Sequence, residues 1–130
     1  NPPKQFPIEM IEKFRDHAKE KNILKEFENL NLIGFLAKEN NKLTGFIVGY
    51  KESENHAMIH YITNKNIITK KLLLDRFVEE CKKRGMSYII ADSFEFMEND
   101  KFFEKEGFSL TGKEKMSDGL IMLWRRLNLF

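Results

Sequence analysis

The segment Lys101-Phe102-Phe103-Glu104-Lys105-Glu106-Gly107-Phe108 constrains this chain more than any other. Two adjacent rings set among charged residues predict a short amphipathic helix, from about Met97 to Glu106. Gly107 stops it, because glycine takes the left-handed conformation that ends helices. Phe108 then opens a strand at once. Such a helix must lay its rings on a sheet, which calls for a layered fold mixing helices and strands.

The rest of the chain supplies the sheet. Ile8, Ile11, Phe14 and Ala18 recur at the spacing of one helix face, and Ile23, Leu24, Phe27 and Leu30 suggest a second, shorter helix. Leu32 to Ala37 and Leu43 to Tyr50 read as two strands. Asn40 and Asn41 lie between them, and asparagine tolerates the positive φ of tight turns. Gly45 and Gly49 within the second strand mark a bulge or a close approach. A third strand runs from Ala57 to Thr63. Thr69 is the expected N-cap of a long helix with an apolar stripe of Leu73, Leu74, Phe77, Val78 and Cys81, ended by Gly85. Tyr88 to Ala91 is a short, continuously apolar strand, as burial on both faces requires. After the helix at Met97, Phe108 to Met116 and Leu120 to Leu127 form a closing hairpin across Ser117-Asp118-Gly119. The expected architecture is a mixed, mostly antiparallel sheet of about six strands flanked by about four helices, on both faces. It makes one domain over 1–130, with helices in 1–30 and the sheet in 31–127.

Charge excludes several functions. The 22 basic and 20 acidic residues give a net charge of +2, and Lys and Glu interleave along the helices as on a solvated face. A nucleic-acid binder segregates its basic residues, so neither nucleic acid nor membrane is expected as a partner. The single Cys81 forms no intrachain disulfide and fits an inert core thiol and a cytoplasmic location. No Cys/His cluster has metal-ligand spacing, and no Walker loop or nucleophile elbow is present. Trp124 alternates with Leu120 and Met122 on a core-facing edge. The start at Asn1-Pro2-Pro3 fits a domain of a larger chain.

The order of elements, with these turns, resembles the GNAT superfamily of acyl-CoA N-acyltransferases. The hairpin Ala37-Lys38-Glu39-Asn40-Asn41-Lys42-Leu43-Thr44-Gly45-Phe46 is similar to the family's second and third strands. Leu73-Leu74-Asp75 through Lys83-Arg84-Gly85 is similar to its cofactor-side helix, and Phe102 to Phe108 to its last helix and sixth strand. The resemblance covers roughly 32–127. The family's first strand has no evident counterpart, and the helix at Ile8 stands near its place.

The resemblance implies acetyl-CoA, or another acyl-CoA, lying between two splayed strands. The acceptor would be a small-molecule or peptide amine, with a larger chain or a second copy as the other partners considered. The cofactor side falls on Tyr61, Ile62 and Thr63 in what would be the family's fourth strand, and the amides somewhere in His60 to Thr63 would polarise the thioester carbonyl. It continues through Lys65, Ile68, Thr69, Lys70 and Lys71 at the helix start, with Asn99 in the last helix. A helix N-terminus offers amides and partial positive charge to a diphosphate. The chain departs from the family pattern in three places: the loop lacks its glycines, Phe96 replaces an asparagine, and Phe103 stands where a tyrosine usually serves as general acid. Tyr50, Tyr61, Tyr88 or Ser93 are the available substitutes, and water could also protonate the thiolate. His60 is the candidate catalytic base, with Glu52 and Glu54 as alternatives. Two readings follow: an N-acetyltransferase, or a non-catalytic GNAT-like module for interaction or ligand sensing.

Overall fold

The computed structural model describes residues 4–5, 32–40, 42–63 and 66–130. Strands β1 (Lys4–Gln5), β2 (Leu32–Glu39), β3 (Lys42–Lys51) and β4 (His56–Ile62) are followed by helix α1 (Ile67–Lys83). Then come β5 (Tyr88–Phe94), helix α2 (Glu98–Lys105), β6 (Ser109–Lys115) and β7 (Ile121–Asn128). They form one sheet in the order β1-β2-β3-β4-β5-β7-β6. Among the described strands only β4 and β5 run parallel; every other pair is antiparallel.

Six strands lie between Leu32 and Asn128, as the sequence pattern predicts. The two-residue β1, antiparallel to β2, is an addition: a first strand does exist. Two helices lie among the described residues, and the two expected near Ile8 and Ile23 lie outside them. Strand β5 runs to Phe94, three residues past the expected end, because Asp92-Ser93-Phe94 continue the ladder with β7. Helix α1 starts earlier than expected. Its N-cap is Asn66, not Thr69: the extended Asn66 lets its side chain accept from the amides of Ile68 and Thr69. Thr69 lies inside the first turn.

Both helices cover the same face. Gly49 faces Ile59, Ile59 faces Ala91 and Ala91 faces Arg125 across successive strands, so these four residues share a side of the sheet. Phe77 of α1 packs on Gly49, and Asp100 of α2 holds Arg125. Between helices and sheet lies a ring-rich core of Phe35, Phe77, Phe102, Phe103 and Phe108 with Ile33, Ile47, Ile59, Ile62 and Ile89. Phe77 is fully buried, and truncating such a ring to alanine typically costs about 3–5 kcal/mol. Cys81 belongs to this core, and burial pushes its thiol up to about 12, which keeps it protonated and unreactive.

Two backbone features prepare the site. A β-carbon on Gly49 would stand 2.1 Å from the carbonyl oxygen of Met58 and 2.7 Å from the Phe77 ring, so only glycine fits there. Directly beside it the β3–β4 register slips: Gly49 faces Ile59, but Val48 faces Tyr61. His60 is the extra residue of a β-bulge.

Candidate active site

The parting of β4 from β5 defines the site. The parallel pairing runs from His56↔Tyr88 to Ile59↔Ala91 and stops, although both strands continue for three residues. The bulge at His60 lies at that point, so the strand bends and twists away as its ladder is interrupted. Parity shifts with it. Ala57 and Ile59 face the core before the bulge, and Ile62 does so after it, which leaves Tyr61 outside and 42% exposed. Tyr61 stacks on Phe46 with ring centroids 5.1 Å apart.

The bulge also sorts the backbone amides. Thr63 N–H donates to Phe46 O at 3.0 Å, so the Thr63 amide faces β3. Antiparallel ladders alternate, so the neighbouring Ile62 amide faces the other way, toward the gap that β5 has left. The Thr63 hydroxyl accepts from Phe46 N at 2.8 Å and donates to Phe46 O at 3.1 Å, sealing the end of the β3–β4 seam. Of the three predicted fourth-strand positions, Ile62 is therefore the one whose amide is aimed into the opening.

A cleft of about 400 Å³ sits at the end of β5, lined by Asp92, Ser93, Phe94, Met97, Glu98, Asn99 and Met122. Asp92 is the first β5 residue past the last β4 pair. Burial holds its carboxyl above the usual carboxylate range, against an opposing hydrogen bond from its own backbone. Sequence reasoning missed it, although a carboxylate closing an apolar strand run was a visible signal. Ser93 is buried and its hydroxyl reaches Asp100 Oδ1 at 3.5 Å. His60 is half-buried in the bulge, with Nε2 out of contact with solvent.

The alternative groups scatter. Glu52 and Glu54 lie in the β3–β4 turn, at the opposite end of β4 from the opening. Glu52 pairs with His56 and Glu54 with Lys51. Tyr88 opens β5 at that same far end, stacked on His56. Tyr50 faces Met58, on the turn side of the bulge.

The helix start differs from an open anion cradle. The amides of Ile68 and Thr69 are bonded to the Asn66 side chain at 2.8 and 3.2 Å. Lys71 reaches Glu106 at 2.5 Å and Asp75 at 3.1 Å, and these hydrogen bonds raise its pKa. Lys70 turns inward, bonded to the side-chain oxygen of Asn99 and 4.6 Å from the Phe102 ring centre. Two predicted cofactor residues, Lys70 and Asn99, thus meet. Ile68 is 70% exposed beside a groove between α1 and α2, and Lys65 lies outside the described residues. Phe103 is a core ring, packed 5.6 Å from Phe102 and 5.1 Å from Phe108.

Helix α2, which forms one wall, is pinned from below. Arg125 of β7, buried, donates to Asp100 at 2.6 Å, to Glu104 at 3.4 Å and to the Phe108 carbonyl at 3.2 Å. Charge-assisted bonds of this kind are strong and directional, and Asp100 foremost raises the arginine's pKa further. Among the described residues no cluster of His, Cys, Asp and Glu is arranged to hold a metal, and no helix is long and apolar enough to cross a membrane.

This arrangement of sheet, helices and parted strands is the GNAT fold, as comparison with solved structures shows. The aminoglycoside 6'-N-acetyltransferase from Enterococcus faecium superposes with a TM-score of 0.75 at 13% identity, covering 100% of this chain and 98% of that one. An aminoglycoside 6'-N-acetyltransferase complexed with coenzyme A gives 0.74 at 15% identity, with 100% and 98% covered. The ribosomal-protein-S18-alanine N-acetyltransferase from Escherichia coli gives 0.66 at 17% identity, with 75% and 69% covered. No protein-family model matches the sequence, and no curated protein matches it.

Proposed function

We infer that this chain is an acyl-CoA-dependent N-acyltransferase, moving an acetyl or other acyl group from acyl-CoA to a small-molecule or peptide amine. The observation that carries this reading is the opening of β4 from β5 after Ile59↔Ala91, beside the bulge at His60. Such an opening leaves a strand edge that accepts an extended, amide-bearing arm as a further strand would be accepted. An acyl-pantetheine arm has that shape and hydrogen-bonding pattern.

The residues at the opening divide the chemistry. The Ile62 amide points where the thioester carbonyl would lie, and a fixed N–H aimed at developing negative charge lowers the barrier to attack. Asp92 takes the proton from the incoming amine. Its raised pKa moves it toward neutrality, where a base works best. His60, in the bulge, is the other group able to serve as base. Met97, Met122 and Phe94 make the cleft's apolar walls, which favour an acceptor with a hydrocarbon part next to its amine.

A second reading, a GNAT-like module that binds without catalysis, is favoured by one set of observations. Asn66 occupies the first-turn amides, Lys71 is already ion-paired, and Phe103 offers no hydroxyl. One experiment separates the readings. Acetyl-CoA is titrated by calorimetry, and thiol release is followed with an amino sugar, a polyamine and a peptide with a free N-terminus. Binding with thiol release is the expected result. Binding without release supports the module, and absence of both overturns the acyl-CoA assignment.

A further inference from the structure

Lys70 occupies a place that the pattern of α1 reserves for the core. The inward stripe of the helix runs Lys70, Leu73, Leu74, Phe77 and Cys81, and Lys70 is 2% exposed, no more than Leu74. A lysine at a helix start normally extends its stem and leaves the ammonium in water. Lys71, one residue on, does so, with its side chain about half exposed. Lys70 instead brings its ammonium to α2, against the Asn99 oxygen and the face of the Phe102 ring. Burying a charge is costly unless specific partners receive it. Asn99 and Phe102 belong to the helix that walls the cleft, and Asn99 itself lines it with Asp92 and Ser93.

The backbone that carries this lysine stands at the parted end of the sheet. The first turn of α1 lies over Gly45 and Thr63, just beyond the end of β4; the Thr69 methyl would be 3.2 Å from a β-carbon on Gly45. Gly45 and Thr63, shown against this turn, carry no charge. On α2 the charge that acts on it is Glu98, which also lines the cleft. On α1 the neighbouring Lys71 is tied to Asp75 and Glu106. On β5, Asp92 and Ser93 stand on the cleft's other wall.

We propose that Lys70 gives the proton to the departing thiolate in acyl transfer, in place of the tyrosine hydroxyl that Phe103 lacks. This rests on the acyltransferase reading above. The amine nitrogen bonds to the thioester carbonyl carbon, the carbon–sulfur bond breaks, and sulfur leaves with the electron pair. The Lys70 ammonium protonates the sulfur, while Asp92 receives the proton lost by the amine. Water then reprotonates the neutral Lys70 and accepts the proton from Asp92, so the products are an amide and a free thiol. Burial holds Lys70 below the ordinary lysine range, with Glu98 pulling the other way. That brings it nearer to a thiol, which makes it a better donor to sulfur.

The test uses Lys70→Met, which keeps the length and burial of the side chain without a proton, and Lys70→Arg, which keeps the charge but does not release a proton. With acetyl-CoA as donor, kcat should fall about 10²-fold or more in both variants. The dissociation constant for acetyl-CoA, measured by calorimetry, should change little. The wild-type kcat should decline on the alkaline side as Lys70 loses its proton, and that limb should be absent from both variants. Lys70→Arg guards against a folding defect in the methionine variant. If the wild type turns over and either folded variant matches its kcat and its alkaline limb, Lys70 is not the proton donor and the acyltransferase reading stands. If the wild type neither binds acetyl-CoA nor releases thiol, the reading falls and the assignment of Lys70 falls with it.

Discussion

Strand β5 treats its two neighbours differently. Against β7 it pairs along its whole length, from Tyr88↔Asn128 to Phe94↔Met122. Against β4 it pairs only as far as Ile59↔Ala91. The first seam is reinforced from above by Arg125, which ties β7 to Asp100 and Glu104 of α2. The second is loosened by the bulge at His60 and opens onto the Asp92 cleft. A complete ladder satisfies its backbone groups internally and has nothing left for a ligand. An interrupted ladder keeps amides in reserve, as at Ile62, but needs rigid walls to hold them apart. The β7–α2 side supplies that rigidity, and the β4 side supplies the opening.

The largest effect should come from the open seam. Asp92→Asn should lower turnover by about 10²–10⁴-fold, the range for losing a general base. It should not destabilise the fold. Asp92 has a raised folded pKa, so as pH climbs from its unfolded value to its folded one the native state holds the extra proton and stability falls. An asparagine removes that penalty, so denaturant melts at pH 7 should show equal or greater stability. A large loss of stability would mean Asp92 is structural and would break the division between the two sides.

On the closed seam the expectation is reversed. Arg125→Met leaves Asp100 buried without its partner and should cost about 3–5 kcal/mol in urea unfolding. Adding Asp100→Leu should recover most of that loss, because the uncompensated charge is gone. No recovery would show that the bonds to Glu104 and the Phe108 carbonyl matter more than the ion pair.

Gly49→Ala tests the hinge between the two behaviours. With 2.1 Å to the Met58 carbonyl, the added methyl must displace backbone, at a cost of about 1–3 kcal/mol. Its amide-exchange changes should concentrate around Ile59 to Ile62. Changes spread evenly over the sheet would separate the bulge from the glycine.

The smallest effect concerns the helix start. Asn66→Ala removes the cap of α1 and should cost about 1 kcal/mol. It also frees the amides of Ile68 and Thr69, so calorimetry with coenzyme A should show tighter binding if a diphosphate seats there. Weaker binding would make Asn66 part of the site rather than its competitor.

Local pattern and turn chemistry determined much of this molecule. Strands β2 to β7, both described helices and the left-handed stops at Gly85 and Gly107 follow from periodicity and glycine placement. So does the Asn40 turn, with φ of 52°. These are decisions made within a few residues, where sterics and hydrophobic spacing act directly. The same pattern carried the resemblance that the fold bears out. The site was legible only in outline, because it depends on which way charged side chains turn. Lys70 and Lys71 look alike in sequence, yet one joins the core and the other the surface. Asp100 and Arg125 are 25 residues apart, and nothing local announces that each will bury the other. The bulge at His60 lies beside Gly49, which packs against Met58 and Phe77, a contact among three elements. Tertiary packing decided these points, because the free energy of a buried charge or a slipped register is set by neighbours that only the folded sheet brings together.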